Sequence, residues 1–437
     1  MRRLFAALFL PLGVAACSPP ERTDSDGPDR IALIVIDTLR ADALPFHGAD
    51  PEAAPFLAAL AERSLVFERA WAASTWTAPS TASLFTSRYP NQHGVELGLR
   101  ARHGDAGLET VGIRPLPDSM ETIPVFLRSR GYATFGASAN VNVGPRLGFD
   151  RGFDRFELLR YKQGFGADAL VSRVLEWKDA LLEAPSFLYL HLMDPHPPYE
   201  RHPRWMPADA PLPERSLADR AAYASEVRFS DEALRRLFEE LELMDALVFV
   251  TSDHGQEFEE HGGLGHGFQV YSELTHVPLL LHLPGSDSPT GRVPRDVSNL
   301  DILPTLRFLL GEAPAPGEVG VSLLPPSREG ASREFFFMRT DPDGEQRADK
   351  RAVLKDGFKL ITTEPGERVE LYDLGEDPGE RVDLAAQEPA RVRELRAALA
   401  AQARDVDPAL HGAADAYLPS EEEARLLEEL GYVEGRE

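Results

Sequence analysis

The feature that most constrains this chain is a run of six apolar residues, Ile31-Ala32-Leu33-Ile34-Val35-Ile36, that stops dead at Asp37. Unbroken hydrophobicity over so short a span, rich in β-branched side chains, is the mark of a strand buried on both faces. Two further runs do the same. Phe187–Leu192 ends near Asp194 and His196, and Ala246–Thr251 ends at Asp253 and His254. A fourth, Val277–Leu281, ends in Pro284-Gly285. Helical patterns lie between them at Pro55–Ser64, Met120–Arg130, Asp168–Glu183, Tyr223–Leu241 and Leu303–Leu310. Strands alternating with helices predict a mostly parallel sheet sandwiched by helices. Such sheets bind ligands beyond the carboxyl ends of their strands, which is where three of the four runs deliver carboxylates and imidazoles.

Those end groups suggest a metal. An Asp-His pair leaving a buried strand can offer a carboxylate and an imidazole to one divalent cation, and Asp37 can supply another oxygen. Mixed Asp and His donors suit zinc or manganese better than magnesium or calcium. A second hydroxyl-rich motif reads STWTAPSTASLFTSRYPNQHGV over residues 74–95. It predicts a helix over Pro79–Thr86 with Thr77 close to its N-cap. Locally, Thr77 fits two roles: a cap, or a hydroxyl activated beside a metal as a nucleophile. The histidines of DPHPPY (His196) and HGGLGHG (His261, His266) are candidates for contact with a developing negative charge, or alternatively loop residues.

The chain is 437 residues long with a net charge of −25, which argues against nucleic acid as a partner. That length suits a large domain with a smaller one attached. The start, MRRLFAALFLPLGVAAC, joins two arginines to an apolar stretch too short to span a bilayer, and closes in small residues before Cys17. It reads as a lipoprotein signal over residues 1–16 with Cys17 as the lipidation site. Ser18 after it points to the periplasmic face of the outer membrane. Residues 17–29 form a polar, Pro-bearing tether. Residues 30–330 are expected to be the catalytic domain. Residues 331–437 are expected to be a C-terminal α+β subdomain built on a short antiparallel sheet, with strands at 351–362 and 368–374 and a helix over 389–404. Specificity is expected from loops at 100–117 and 201–220.

Taken together, LIVIDTLRAD (33–42), the Thr77 segment (69–95), FLYLHLMDPHPPY (187–199), VFVTSDHGQEFEEHGGLGHG (248–267), VSNLDILPTL (297–306), ELYDLGEDPGERVDLA (370–385) and the closing LPSEEEARLLEELGYVEG (418–435) resemble the sulfatase family of the alkaline phosphatase superfamily. The resemblance implies an alkaline-phosphatase-like fold and in-line attack on a sulfate or phosphate ester through a covalent intermediate. It implies a divalent cation (Mn, Zn or Ca) on Asp37, Thr77, Asp253 and His254, with a second cation unplaced. Thr77 falls on the nucleophile, and His196 and His266 fall near the transferred or leaving group. Asn140 and His261 are the substrate-binding candidates, with Asn142 in the same segment.

The chain also departs from that family. Formylglycine sulfatases modify a cysteine or serine in a Cys/Ser-x-Pro-Ser-Arg motif, which here reads Thr77-Ala78-Pro79-Ser80-Thr81. A threonine ester cannot be expelled by collapse to an aldehyde, so hydrolysis or transfer to an acceptor must release it. The expectation is therefore a metal-dependent hydrolase or transferase of phosphate esters, of a small molecule or of an envelope glycan or lipid. A sulfatase using unmodified Thr77 and a catalytically inactive ligand-binding lipoprotein are the alternatives.

Overall fold

The computed structural model describes residues 27–434 apart from 105–106, 160–165, 184, 207–218, 326–331, 341–348, 365–367, 407–413 and 431. The signal segment, Cys17 and most of the tether lie outside the described residues, as do parts of both proposed specificity loops.

Eight strands form the main sheet: β1 (Arg30–Ile36), β2 (Leu65–Trp71), β3 (Ala133–Ser138), β4 (Arg155–Leu158), β5 (Ser186–Leu192), β6 (Leu247–Thr251), β7 (His276–His282) and β8 (Gly291–Ser298). Their spatial order is β8-β2-β7-β6-β1-β5-β3-β4. β1 lies between β5 and β6 in parallel register, Ile31 opposite Phe187 on one side and Leu247 on the other. Its residues from Ile31 on are buried, as the unbroken apolar run requires. β7 is antiparallel to both its neighbours, so the fourth apolar run enters the sheet against the direction of the rest.

The helices packed on this sheet include α1 (Pro55–Ala61), α2 (Thr77–Thr86), α3 (Ile123–Ser129), α4 (Ala167–Leu175), α5 (Arg220–Glu240) and α6 (Ile302–Leu309). The single helix expected over 168–183 is two, since α4 ends at Leu175 and a short turn of helix restarts at Lys178. α2 is buried along its whole length. A helix so rich in hydroxyls survives burial because they bond within it: Ser83 Oγ donates to the Pro79 carbonyl at 2.9 Å and Thr86 Oγ1 to that of Ala82 at 2.7 Å.

A second, antiparallel sheet follows in the order β9 (Phe335–Arg339), β10 (Asp349–Lys355), β11 (Phe358–Glu364) and β12 (Arg368–Asp373), covered by α7 (Pro389–Gln402). The stretch expected as one strand over 351–362 is a hairpin, turned at Asp356-Gly357, where both residues have positive φ. The chain then leaves this sheet. Asp415–Tyr417 pairs with Val111–Ile113, and Val433–Glu434 pairs in parallel with Ala101–Arg102. The helix between them, α8 (Glu421–Glu429), buries Ala424 and Leu427 in the core of the first layer. The expected subdomain thus surrenders its last described residues to the domain it packs on.

Candidate active site

The carboxyl ends of four adjacent parallel strands, β6-β1-β5-β3, supply the site. Asp37 follows β1, Asp253 and His254 follow β6, His191 sits near the end of β5 with His196 beyond it, and Asn140 follows β3. All six are fully buried. Asn140 Nδ2 donates to Asp37 Oδ2 at 2.6 Å, and His191 Nε2 faces the same oxygen at 3.2 Å. Asp253 Oδ1 accepts from the amides of His254 (2.9 Å) and Thr38 (3.3 Å). That leaves Asp37 Oδ1 and Asp253 Oδ2 buried without a hydrogen-bond partner. His254 Nε2 lies 3.9 Å from the first and 3.5 Å from the second. Its Nδ1 is 3.0 Å from the Gly255 carbonyl, which can only accept, so Nδ1 carries the proton and Nε2 presents a lone pair.

Two orphaned carboxylate oxygens and a bare imidazole nitrogen fit a divalent cation. Donor atoms of Asp37, His191 and Asp253 also fall within 4.8 Å of one another. The electrostatics agree. Burial pushes the Asp37 carboxyl up, but the imidazoles of His196, His191 and His254 outweigh it and hold the group below the usual carboxylate range. Asp253 is pushed up by burial and then by the charge of Asp37. Two facing carboxylates repel, an arrangement that a cation resolves.

Thr77 opens α2 as its first residue. The N-cap is Trp76, with no side-chain cap, so the hydroxyl of Thr77 is not spent on capping. Instead its Oγ1 lies 3.3 Å from His254 Nε2, accepts from Asn140 Nδ2 at 3.4 Å and stands 3.2 Å from the hydroxyl of Tyr432. Ser80, one turn on, donates to the Asp253 carbonyl at 2.5 Å and ties α2 to the β6 end. Thr81, at the arginine position of the family motif, is buried with its hydroxyl unpartnered. Thr38, directly after Asp37, holds φ of 57°, a conformation costly for a β-branched residue. Its carbonyl accepts from Tyr223 Oη at 3.0 Å and its amide meets Asp253, so the turn is held at both ends.

His196 and His266 face this centre, with ring centroids 4.7 Å apart, and His266 lies 4.6 Å from His254. His196 Nδ1 donates to the Pro197 carbonyl at 2.6 Å, turning Nε2 inward to within 3.2 Å of Tyr432 Oη. His266 Nδ1 meets Gln256 Oε1 at 2.8 Å, and Gln256 donates its amide to Tyr199 Oη at 2.8 Å, which fixes the orientation. Burial, followed by the neighbouring His254 and His196, holds His266 well below the ordinary imidazole value.

The structure therefore gathers Asp37, Thr77, Asn140, His196, Asp253, His254 and His266, and does not bring His261 to them. His261 stacks on Tyr271 (3.6 Å between centroids) and puts Nδ1 2.7 Å from Glu273 and Nε2 3.1 Å from the Glu380 carbonyl. Burial opposes and Glu273 raises the His261 value, and donor atoms of His261, Glu257 and Glu273 fall within 4.8 Å of one another as a group of their own. His261 joins the two sheets. Asn142 instead accepts from the Leu99 amide at 2.5 Å. Two site residues escape the sequence reading. His191 left a signal, as the one imidazole inside the apolar β5 run. Tyr432 left none that spacing could reveal.

The sulfatase family profile matches residues 30–312. Among curated proteins the chain is similar to the Delta 4,5-hexuronate-2-O-sulfatase of Bacteroides thetaiotaomicron, 29% identical over 161 residues, covering 36% of this chain and 34% of that protein. It is likewise similar to the choline-sulfatase of Rhizobium meliloti, 25% identical over 444 residues, covering 82% and 83%. The chain thus spans only about a third of the first of these and most of the second. Among solved structures, the phosphonate monoester hydrolase of Agrobacterium radiobacter superposes with a TM-score of 0.67 at 21% identity, covering 88% of this chain and 96% of that one. Family profile and fold agree: the chain belongs to the sulfatase family.

Proposed function

We propose that this protein cleaves phosphate esters by a metal-assisted attack of Thr77, forming a phosphothreonine that water or an acceptor alcohol then resolves. The observation that carries the reading is the Thr77 hydroxyl itself, uncapped, buried, and 3.3 Å from the imidazole of His254. Asp37, Asp253 and His254, with His191 beside them, would hold the cation, and this donor set favours zinc or manganese. Bound there, a divalent ion lowers the pKa of an adjacent hydroxyl and neutralises charge on the transferred group. Asn140 orients Asp37 and reaches Thr77 with the same amide. His196, held through Nδ1, directs Nε2 to where a leaving oxygen departs and, when protonated, delivers the proton there.

Among the described residues, the hydrogen-bond partners of Thr77, Asn140 and Tyr432 include no lysine or arginine. Two carboxylates and one dication leave little net positive charge, which favours a monoanionic ester such as a phosphodiester over a dianionic monoester. The sulfatase names of the curated relatives keep open a second reading, sulfate-ester hydrolysis by unmodified Thr77, since a sulfate ester is also a monoanion. The lipobox-like VAAC sequence supports tethering through Cys17 at the periplasmic face of the outer membrane.

The test is a panel of aryl sulfate, phosphate monoester, phosphodiester and phosphonate substrates with zinc, manganese, calcium and magnesium. Phosphodiester turnover should lead, fall to background on chelation, and fall at least about a thousandfold in Thr77→Ala without loss of Tm. Acid-quenched enzyme should carry phosphate on the Thr77 peptide. Turnover retained by Thr77→Ala sinks the mechanism.

A further inference from the structure

The Thr77 hydroxyl must lose a proton as its oxygen bonds to phosphorus. Among the described residues, Oγ1 meets His254 Nε2 at 3.3 Å, Asn140 Nδ2 at 3.4 Å and Tyr432 Oη at 3.2 Å. Asn140 only gives on this side: its Oδ1 accepts from the Asn142 amide at 2.8 Å, which turns Nδ2 toward Thr77 and Tyr432. The lone pair of His254 Nε2 is committed to the cation in the proposed metal site. The acceptor then left to the Thr77 hydroxyl is the phenol oxygen of Tyr432.

Tyr432 has an outlet of its own. His196 Nδ1 carries a proton, because it faces the Pro197 carbonyl at 2.6 Å, so Nε2 presents a lone pair 3.2 Å from Tyr432 Oη. The same phenol oxygen accepts from Asn140 Nδ2 at 3.1 Å. The bonds therefore run one way, from the Thr77 hydroxyl to the Tyr432 hydroxyl to His196 Nε2. The phenol is firmly placed. Tyr432 is buried and packs in the main core with Ala424, Leu427 and Leu430. Its carbonyl accepts from the Ala101 amide at 2.9 Å, and its amide donates to the Leu427 carbonyl at 2.8 Å. Burial, and then the charge of Asp37, raises its value above that of an ordinary phenol, so the oxygen passes a proton on only as it receives another.

We propose that Tyr432 relays the proton of the nucleophile to the acid that expels the leaving group. As Thr77 Oγ1 bonds to phosphorus, its O–H bond breaks and the proton passes to Tyr432 Oη. The phenol's own proton passes to His196 Nε2, and His196 gives it to the leaving oxygen as the bond from that oxygen to phosphorus breaks. Tyr432 and His196 both end neutral. Because His196 stands two hydrogen bonds from Thr77, it serves the leaving oxygen on the far side of phosphorus while the phenol serves the near side. Hydrolysis of the phosphothreonine runs the chain backwards: water loses its proton to His196, and Tyr432 returns one to Thr77. The inference rests on Thr77 being the nucleophile, and its test separates the two.

Tyr432→Phe removes the hydroxyl and keeps the ring. Phenol leaves poorly without a proton, whereas p-nitrophenol needs little help. In Tyr432→Phe, kcat/KM for diphenyl phosphate should fall at least about a hundredfold, and that loss should exceed the loss for bis(p-nitrophenyl) phosphate by at least about tenfold. His196→Gln should show the same split, and the double variant should be within about threefold of the slower single, because breaking either link breaks the chain. An equal loss on both esters, or losses that multiply in the double variant, overturns the relay. A further measurement needs no variant. In the parent, kcat/KM for diphenyl phosphate in mixtures of light and heavy water should bow below a straight line, since more than one proton is in flight; a straight line overturns the relay. Phosphothreonine in acid-quenched Tyr432→Phe, together with an equal loss on both esters, rejects the relay and keeps Thr77 as the nucleophile. A parent chain that forms no phosphothreonine removes both.

Discussion

Single residues in this molecule are set by what burial does to them. Asp194 follows β5 and is nearly fully buried, accepting from the Ala167 amide at 2.9 Å. Burial first, then the nearby charge of Asp168, pushes its carboxyl up to about 7 against an ordinary 3.8. The native state therefore keeps a proton that the unfolded chain has released, and stability falls as pH rises from about 4 to about 7. Asp194→Asn keeps the acceptor and cannot ionise. Its Tm should match the parent at pH 4 and exceed it by about 2 °C or more at pH 8; an equal difference at both pH values refutes this. The acid was visible in the sequence as a strand-end group, but its role was not: it caps the start of α4 rather than joining the cluster around Asp37. Asp37, Asp253 and His254 were legible as polar groups that directly follow unbroken apolar runs, a signal that Asp194 shares and that therefore does not by itself separate a site from a cap. His191 was within reach by the same logic.

Elements in this fold complete one another. α1 begins with Pro55 and its N-cap, Ala54, offers no side chain to its first amides. Asp231, on α5, supplies one: its oxygens accept from Phe56 at 3.0 Å and Leu57 at 2.8 Å. A carboxylate borrowed from another helix satisfies orphan donors and complements the helix dipole. Asp231→Ala should cost about 1–2 kcal/mol in denaturant unfolding, and Asp231→Asn about half of that. A cost below about 0.3 kcal/mol for the alanine would show the contact to be passive. Caps of this kind cannot be read from sequence, because they link positions far apart in the chain. The helix beginning at Thr77 shows the converse. A threonine near a helix start reads as a cap, and only the neighbouring strand ends reveal that its hydroxyl is aimed elsewhere.

At the scale of the molecule, the two sheets are locked together by a buried ion pair. Lys359 Nζ, on β11, lies 3.0 Å from Glu380 Oε1, with both side chains fully buried. Glu380 Oε2 accepts from the Ser272 amide at 2.6 Å, and Lys359 Nζ donates to Thr275 Oγ1 at 3.3 Å, both on the first domain. Removing one partner leaves the other charge buried alone, so Lys359→Met should cost about 3–5 kcal/mol, and pairing it with Glu380→Gln should recover much of that. A double variant as unstable as the single would mean that the packing, not the charge, carries the join. The sequence showed the change of texture near residue 330 and the antiparallel sheet beyond it. It did not show that the chain crosses back, since a two-residue strand such as Val433–Glu434 has no periodicity to detect.

That return has a bearing on how the protein is made. Asp37 and Asn140 emerge early in synthesis and Tyr432 late, so for most of translation the pocket around Thr77 stands without its last wall. All eight strands of the main sheet fall within residues 30–298, so the wall that Tyr432 adds comes from a stretch made long after the sheet it covers.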